Sequence, residues 1–141
     1  MRLEGRVFKS GSFWAVDVPL LGVATQGRTE KEAYVMIADA IEELVDKRGF
    51  KVHVYPGTGG YFEIGSNDLP ALIAFFLRRQ RKKRGLTLEE AARRLGASSI
   101  NAYARYEQGR SVPTVEKFRQ LLKALSPDVD FVLSESKVHP R

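Results

Sequence analysis

Residues 86–109, LTLEEAARRLGASSINAYARYEQG, carry two short runs with helical periodicity on either side of one glycine. Thr87 followed three residues later by Glu90 forms a capping box. Its hydroxyl accepts from the Glu90 amide while the carboxylate reaches back to the Thr87 amide, fixing a helix start at Thr87. Ala91, Ala92 and Leu95 give this helix a slim apolar face. Gly96 supplies a residue that turns with positive φ, so the helix ends at Leu95. In the next helix, steps of 100° per residue put Tyr103 and Tyr106 on one side and Ser98, Asn101 and Arg105 on roughly the opposite side.

Two helices joined by a tight turn are the helix-turn-helix arrangement, whose second helix can lie in a DNA major groove. Asn bonds adenine N6 and N7, and Arg bonds guanine O6 and N7, each in bidentate fashion. A polar helix face is also what ordinary solvation produces, so charge context decides. Residues 1–68 hold 8 Lys and Arg against 10 Asp and Glu, a balance of −2, while residues 69–141 hold 15 against 7, a balance of +8. Together these give the net +6 of the 141-residue chain, with all excess positive charge beside the tandem helices. Cations near phosphates release counterions and supply sequence-independent affinity. The densest run is Arg78, Arg79, Arg81, Lys82, Lys83 and Arg84, interrupted by Gln80. In isolation it could be a solvated face; beside these helices, phosphate contact is the expectation.

From about Leu69 to Leu125 the chain resembles the DNA-binding domain of the lambda-repressor and Cro-like (XRE) family. The resemblance rests on Arg81 before Gly85-Leu86-Thr87, on Glu89-Glu90, Leu95-Gly96 and Tyr106-Glu107-x-Gly109, and on Pro113 and an apolar last helix. That helix carries Val115, Phe118, Leu122 and Leu125 at helical spacing, a stripe expected to seal the bundle. The resemblance implies that Arg81 pairs with Glu107, tying the family's first helix to the end of its third. It also implies phosphate and base contacts from the helix that starts at Thr87, although Leu88 stands where a glutamine is frequent. Gly96 and Glu107 lie one residue farther apart than is usual in the family. Counting back from Glu107 keeps Arg105 as a base reader and makes Asn101 plausible; counting forward from Gly96 favours Ser98 and Ser99. Arg110 and Ser111 are placed for the DNA backbone. The expected DNA-binding set is therefore Thr87, Ser98, Ser99, Asn101, Arg105, Arg110 and Ser111.

The first 68 residues are patterned as α/β. Leu3, Gly5 and Val7 alternate with Arg2, Glu4 and Arg6, Phe13 to Val18 is rich in strand formers, and Gly22 to Gln26 can form a third strand. Thr29 and Glu32 offer a second capping box, opening a helix that runs towards Arg48, with a stripe of Ala33, Ile37, Ile41, Leu44 and Val45 and a stop at Gly49. Val52 and Val54, then Phe62 and Ile64, alternate across a turn at Pro56 to Gly60. Phe13 and Trp14 point to opposite faces of their strand, one expected in the core and the other available to a partner. Asp130 to Leu133 suit a last strand, one available to a dimer contact.

This order, with Phe13-Trp14-Ala15-Val16-Asp17-Val18-Pro19, Gly22, Thr25-Gln26-Gly27 and Thr29-Glu30-Lys31-Glu32-Ala33, resembles the HicB antitoxin family over most of residues 1–65. The resemblance implies a degenerate RNase H-like domain that binds and blocks a small HicA-like toxin, an mRNA-cleaving ribonuclease. A fused DNA-binding domain represses the family's own operon. The expected fold class is thus α+β, with an N-terminal βββαββ domain (1–67) followed by an all-α helix-turn-helix domain with a C-terminal tail (68–141). The alternative is a repressor whose first domain senses a small molecule.

Catalysis is not expected. Two-metal hydrolysis needs several carboxylates converging on ions about 4 Å apart, and the strands offer only Glu4, Asp17 and Glu63. Asp39, Glu42 and Glu43 lie opposite the apolar stripe of their helix as solvated charge. The only histidines are His53 and His139 and there is no cysteine, so neither metal nor cofactor is expected. Gly57, Gly59 and Gly60 follow Pro56 between strands, which reads as a hairpin turn rather than a phosphate cradle. Each half is about 70 residues and buries only about 60% of its unfolded surface, a marginal fraction. A homodimer or higher homo-oligomer is expected, since helix-turn-helix readers usually reach successive grooves as two-fold pairs. No stretch reaches the roughly 20 apolar residues of a membrane span and no signal-peptide core is present, which fits the cytoplasm. The expected partners are operator DNA and a HicA-like toxin.

Overall fold

The computed structural model describes residues 1–138, so His139 lies outside the described residues. The chain forms β1 (Leu3–Ser10), β2 (Phe13–Val18), a 3-10 turn (Pro19–Leu21), β3 (Val23–Gly27), α1 (Glu30–Val45), β4 (Val52–Pro56) and β5 (Tyr61–Ser66). Four helices follow, α2 (Leu69–Lys83), α3 (Leu88–Leu95), α4 (Ile100–Glu107) and α5 (Val115–Leu125). This is an α+β chain with the expected element order. It divides into two compact units, one of Met1–Leu72 together with the stretch that begins at Glu135, the other of Ile73–Ser134. The division falls a few residues later than the expected 1–67 and 68–141 split, and the tail from Glu135 groups with the first unit.

In the first unit the strands form one antiparallel sheet in the order β3-β2-β1-β5-β4. Period-two alternation sends Leu3 and Val7, with Val16, Val18, Phe62 and Ile64, to the face covered by α1. Ala33, Ile37 and Ile41 come down from α1 at four-residue spacing and are fully buried. Full burial of each isoleucine contributes roughly 1.5–3 kcal/mol. Gly5 lies opposite Phe62, and a Cβ there would stand 2.1 Å from the Phe62 ring, so the ring occupies the space a side chain would need. The Tyr34 ring meets Phe62 edge-on at 5.3 Å.

Several local expectations shift. Thr29 does cap α1, accepting from the Glu32 amide at 3.0 Å. The Glu32 carboxylate, however, takes the Arg28 amide at 3.4 Å, so the reciprocal arm of the box is absent. α1 stops at Val45 rather than near Gly49, because Asp46 adopts the left-handed conformation at φ 51° and returns its amide to the Glu42 carbonyl. Leu44, although within α1, is exposed rather than part of the stripe. Trp14 is on the α1 face but only half-buried, and Phe13 is exposed on the other face with Phe8, so neither aromatic joins the core. Asp68 caps α2, accepting from the Ala71 amide at 3.0 Å while Lys47 Nζ lies 2.6 Å away. Those two bonds hold its carboxyl below the usual carboxylate range.

The second unit has an apolar core that includes Leu86, Ala91, Ala92, Tyr103, Ala104, Leu121, Leu122 and Leu125. The α5 stripe differs from the expected one. Leu121, Leu122 and Leu125 are buried and Phe118 half-buried, whereas Val115 in the first turn is 90% exposed. Phe118 and Phe131 both meet the Phe76 ring edge-on, at 6.1 and 5.8 Å. Asp130 to Leu133 form no strand: Phe131 turns to Phe76, and Val132 and Leu133 are 90% and 102% exposed.

Candidate nucleic-acid interface

The helical unit is fixed by end chemistry. At α3 the Thr87 hydroxyl accepts from the Glu90 amide at 3.1 Å, and the Glu90 carboxylate returns to the Thr87 amide, completing the capping box. Gly96 follows at φ 74°, a conformation that glycine adopts without the steric penalty of a Cβ, and turns the chain out of the helix. α4 then begins at Ile100 because Ser99 caps it, its hydroxyl accepting from the Ala102 amide at 3.1 Å. The helix thus runs from the Ser99 cap to Glu107, and Ala97 and Ser98 lie in the turn ahead of it.

At the other end of α4, Glu107 is buried and paired with Arg81 of α2. Arg81 Nε donates to Oε2 at 2.8 Å and Nη2 to Oε1 at 3.1 Å, while Nη1 donates to the Leu86 carbonyl at 2.8 Å. One guanidinium thus joins α2, the α2–α3 turn and the end of α4, and the bidentate bond to Glu107 raises its pKa further. Burial, with Glu107 beside it, pushes the Tyr103 phenol well above its ordinary range, and its hydroxyl has no well-formed hydrogen bond of its own.

With Tyr103, Ala104 and Glu107 buried, Ser98, Asn101 and Arg105 remain exposed. Asn101 and Arg105 stand four residues, about one turn, apart on the same exposed face of α4. Beyond α4 the Arg105 carbonyl accepts from the Arg110 amide at 3.0 Å and the Ser111 amide at 3.4 Å, which holds these two residues just past the helix end. Arg110 is exposed and Ser111 half-buried. Ser99 is exposed but engaged as the cap, and Thr87 is exposed at the start of α3 within its capping box.

The starts of α3 and α4 differ electrostatically. The first turn of α3 carries Glu89 and Glu90, which repel a phosphate from a helix end that would otherwise attract it; the first turn of α4 carries no acid. Ile100, absent from the sequence-derived set, opens α4 at 43% exposure. An aliphatic group there suits the methyl of thymine. The signal for it was the position of the Ser99 cap.

The basic run is not one phosphate surface. Arg81 is spent on Glu107, Arg84 pairs with Asp128 at 2.7 Å, and Arg78 and Arg79 lie 5.3 and 5.9 Å from the Phe75 ring centroid. Lys82 and Lys83 are exposed. The surface on which Arg105 and Arg110 stand holds less charge, but both guanidinium groups face solvent.

No group of His, Asp and Glu able to hold a metal occurs among the described residues, and no helix among them is long and apolar enough to cross a membrane. No curated protein matches the chain. Residues 72–130 match the family model of a helix-turn-helix domain, and the match coincides with the capped α3–turn–α4 geometry, supporting a DNA-binding, regulatory role for this part of the chain.

Proposed function

We propose that this chain is the antitoxin of a HicAB-type system, which neutralises an mRNA-cleaving HicA-like toxin through its sheet unit and represses its own operon in the cytoplasm. The observation that carries the DNA arm is the exposed Asn101–Arg105 pair on a capped α4 within the region matching a helix-turn-helix domain. The antitoxin arm is supported by the three-strand meander, helix and hairpin of the first unit, in the order that the resemblance to HicB implies. Operator binding as a homodimer is part of the reading, since a two-fold pair presents two α4 helices to successive major grooves about 34 Å apart.

The sheet unit works in this reading by binding, not catalysis. The Glu63 carboxylate is engaged by Arg2, Tyr61 and Ser136, and Arg6 sits in register between Asp17 and Tyr61. These cations and donors occupy the face where converging carboxylates would have to gather metal ions. Metal-dependent nucleic-acid cleavage abolished by Asp17→Asn would overturn this view.

The test is co-expression of the full chain with the product of the adjacent gene. Restored growth, with a stable complex of the two proteins, is the expected result; a neighbour that is harmless, or toxic regardless of this chain, contradicts the antitoxin arm. The alternative, a repressor with a small-molecule-sensing first unit, draws on an open apolar hollow of about 350 Å³ lined by Lys31, Tyr34, Val35, Ala38, Asp39, Val54 and Pro56. Its openness and two charged residues give a ligand little to be oriented by.

A further inference from the structure

Glu63 is 4% exposed although it lies on the face of β5 turned away from α1. Strand alternation alone would leave it in water, so something covers it. The cover is Ser136-Lys137-Val138. The Ser136 hydroxyl donates to Glu63 Oε1 at 2.5 Å, and the Lys137 amide donates to Oε2 at 3.3 Å. Tyr61 and Arg2 complete the shell from the sheet, the phenol donating to Oε2 at 2.7 Å and Nη1 to Oε1 at 3.2 Å.

The remaining contacts read the segment residue by residue. Arg2 Nη1 also donates to the Val138 carbonyl at 3.2 Å, with its guanidinium held 3.6 Å over the Tyr55 ring. Lys137 Nζ lies 5.4 Å from the Tyr61 ring centroid, a cation–π contact. The Val138 side chain reaches Gly57, where an added Cβ would come within 3.1 Å of Val138 Cγ2. The Val138 amide donates back to the Ser136 hydroxyl at 3.0 Å, closing a tight turn. Burial pushes the Glu63 carboxyl up, but the bonds from Ser136, Tyr61, Arg2 and the Lys137 amide together hold it below its usual range.

We propose that Arg2, Tyr55, Gly57, Tyr61 and Glu63 form a peptide-binding site selective for a hydroxyl–basic–aliphatic tripeptide, and that its ligand is this chain's own Ser136-Lys137-Val138, bound in cis. A free tripeptide with so few contacts would bind weakly, but covalent attachment supplies a high effective concentration. Release would remove two of the four donors from a buried carboxylate, which opposes opening.

Limited trypsin digestion of the full chain tests the clasp, because cleavage after Lys137 releases Val138-His139-Pro140-Arg141, a fragment readily followed by mass spectrometry. Slow release is expected from the wild type, accelerated about tenfold or more in Ser136→Ala and Glu63→Gln, as loss of a charge-assisted hydrogen bond implies. Ser136 lies outside the sheet, so Ser136→Ala keeps the test valid if Glu63→Gln fails to fold. Equal release from the wild type and Ser136→Ala would overturn the proposal. Protection should also be unchanged by hundredfold dilution; protection lost on dilution would assign the segment to a second copy and overturn the cis clasp.

Discussion

The end of α2 and the exposed face of α4 are both basic, and they use their charge in opposite ways. α2 holds the densest cationic run in the chain, yet Arg81 and Arg84 are committed to Glu107 and Asp128, and Arg78 and Arg79 lie against Phe75. α4 and the turn after it offer only Arg105 and Arg110, both open to solvent. Charge density in a sequence measures how many cations are present, not how many remain for a ligand. In this unit much of the dense run builds the scaffold, and the sparse face is the one left open to solvent for the DNA contact proposed above.

The largest effect should come from the scaffold side. Arg81→Ala leaves the Glu107 carboxylate buried without its counter-charge, and the helical unit should lose about 3–5 kcal/mol in urea denaturation. A loss under 1 kcal/mol would show that the pair is ornamental and blur the distinction between the two regions. Arg105→Ala should leave stability unchanged but cost about 1–3 kcal/mol of discrimination at one base position, measured as the affinity ratio of specific to scrambled duplex. Removing the cap that sets the start of α4 is expected to be milder: Ser99→Ala should cost about 1 kcal/mol of thermal stability. The smallest effect concerns phosphate. Arg110→Ala should reduce the magnitude of the log K against log salt slope by about 0.9, one phosphate contact, while Arg84→Ala leaves it unaltered. Equal slopes for those two variants would erase the comparison.

Local chemistry was the most legible part of the chain. The Thr87–Glu90 box, the Gly96 stop and the β1 alternation each depend on residues a few positions apart, and each forms as the spacing predicts. The Thr29 box formed by half because a neighbouring amide, that of Arg28, competes for the same carboxylate. Asp46 ended α1 ahead of the more permissive Gly49, since glycine permits a left-handed turn without specifying where the helix must stop. Register in α4 required the structure: Ser98 and Ser99 are both able caps, and only the helix start separates them. Val115 fits the apolar period but sits at the first turn, where the helix runs past the core. The cover over Glu63 was beyond reach, because its ligands at Ser136 and Lys137 are more than 70 residues away along the chain.

The most direct measurement is selection of duplexes from a random pool by the full chain at fixed salt, followed by binding of the enriched sequence by the wild type and Arg105→Ala. The wild type should prefer the enriched duplex over a scrambled one by about 10³-fold or more, and the folded Arg105→Ala protein should lose that preference at one base pair while keeping its salt dependence. No enrichment by the wild type, or an undiminished preference in the variant, would contradict DNA reading by the α4 face.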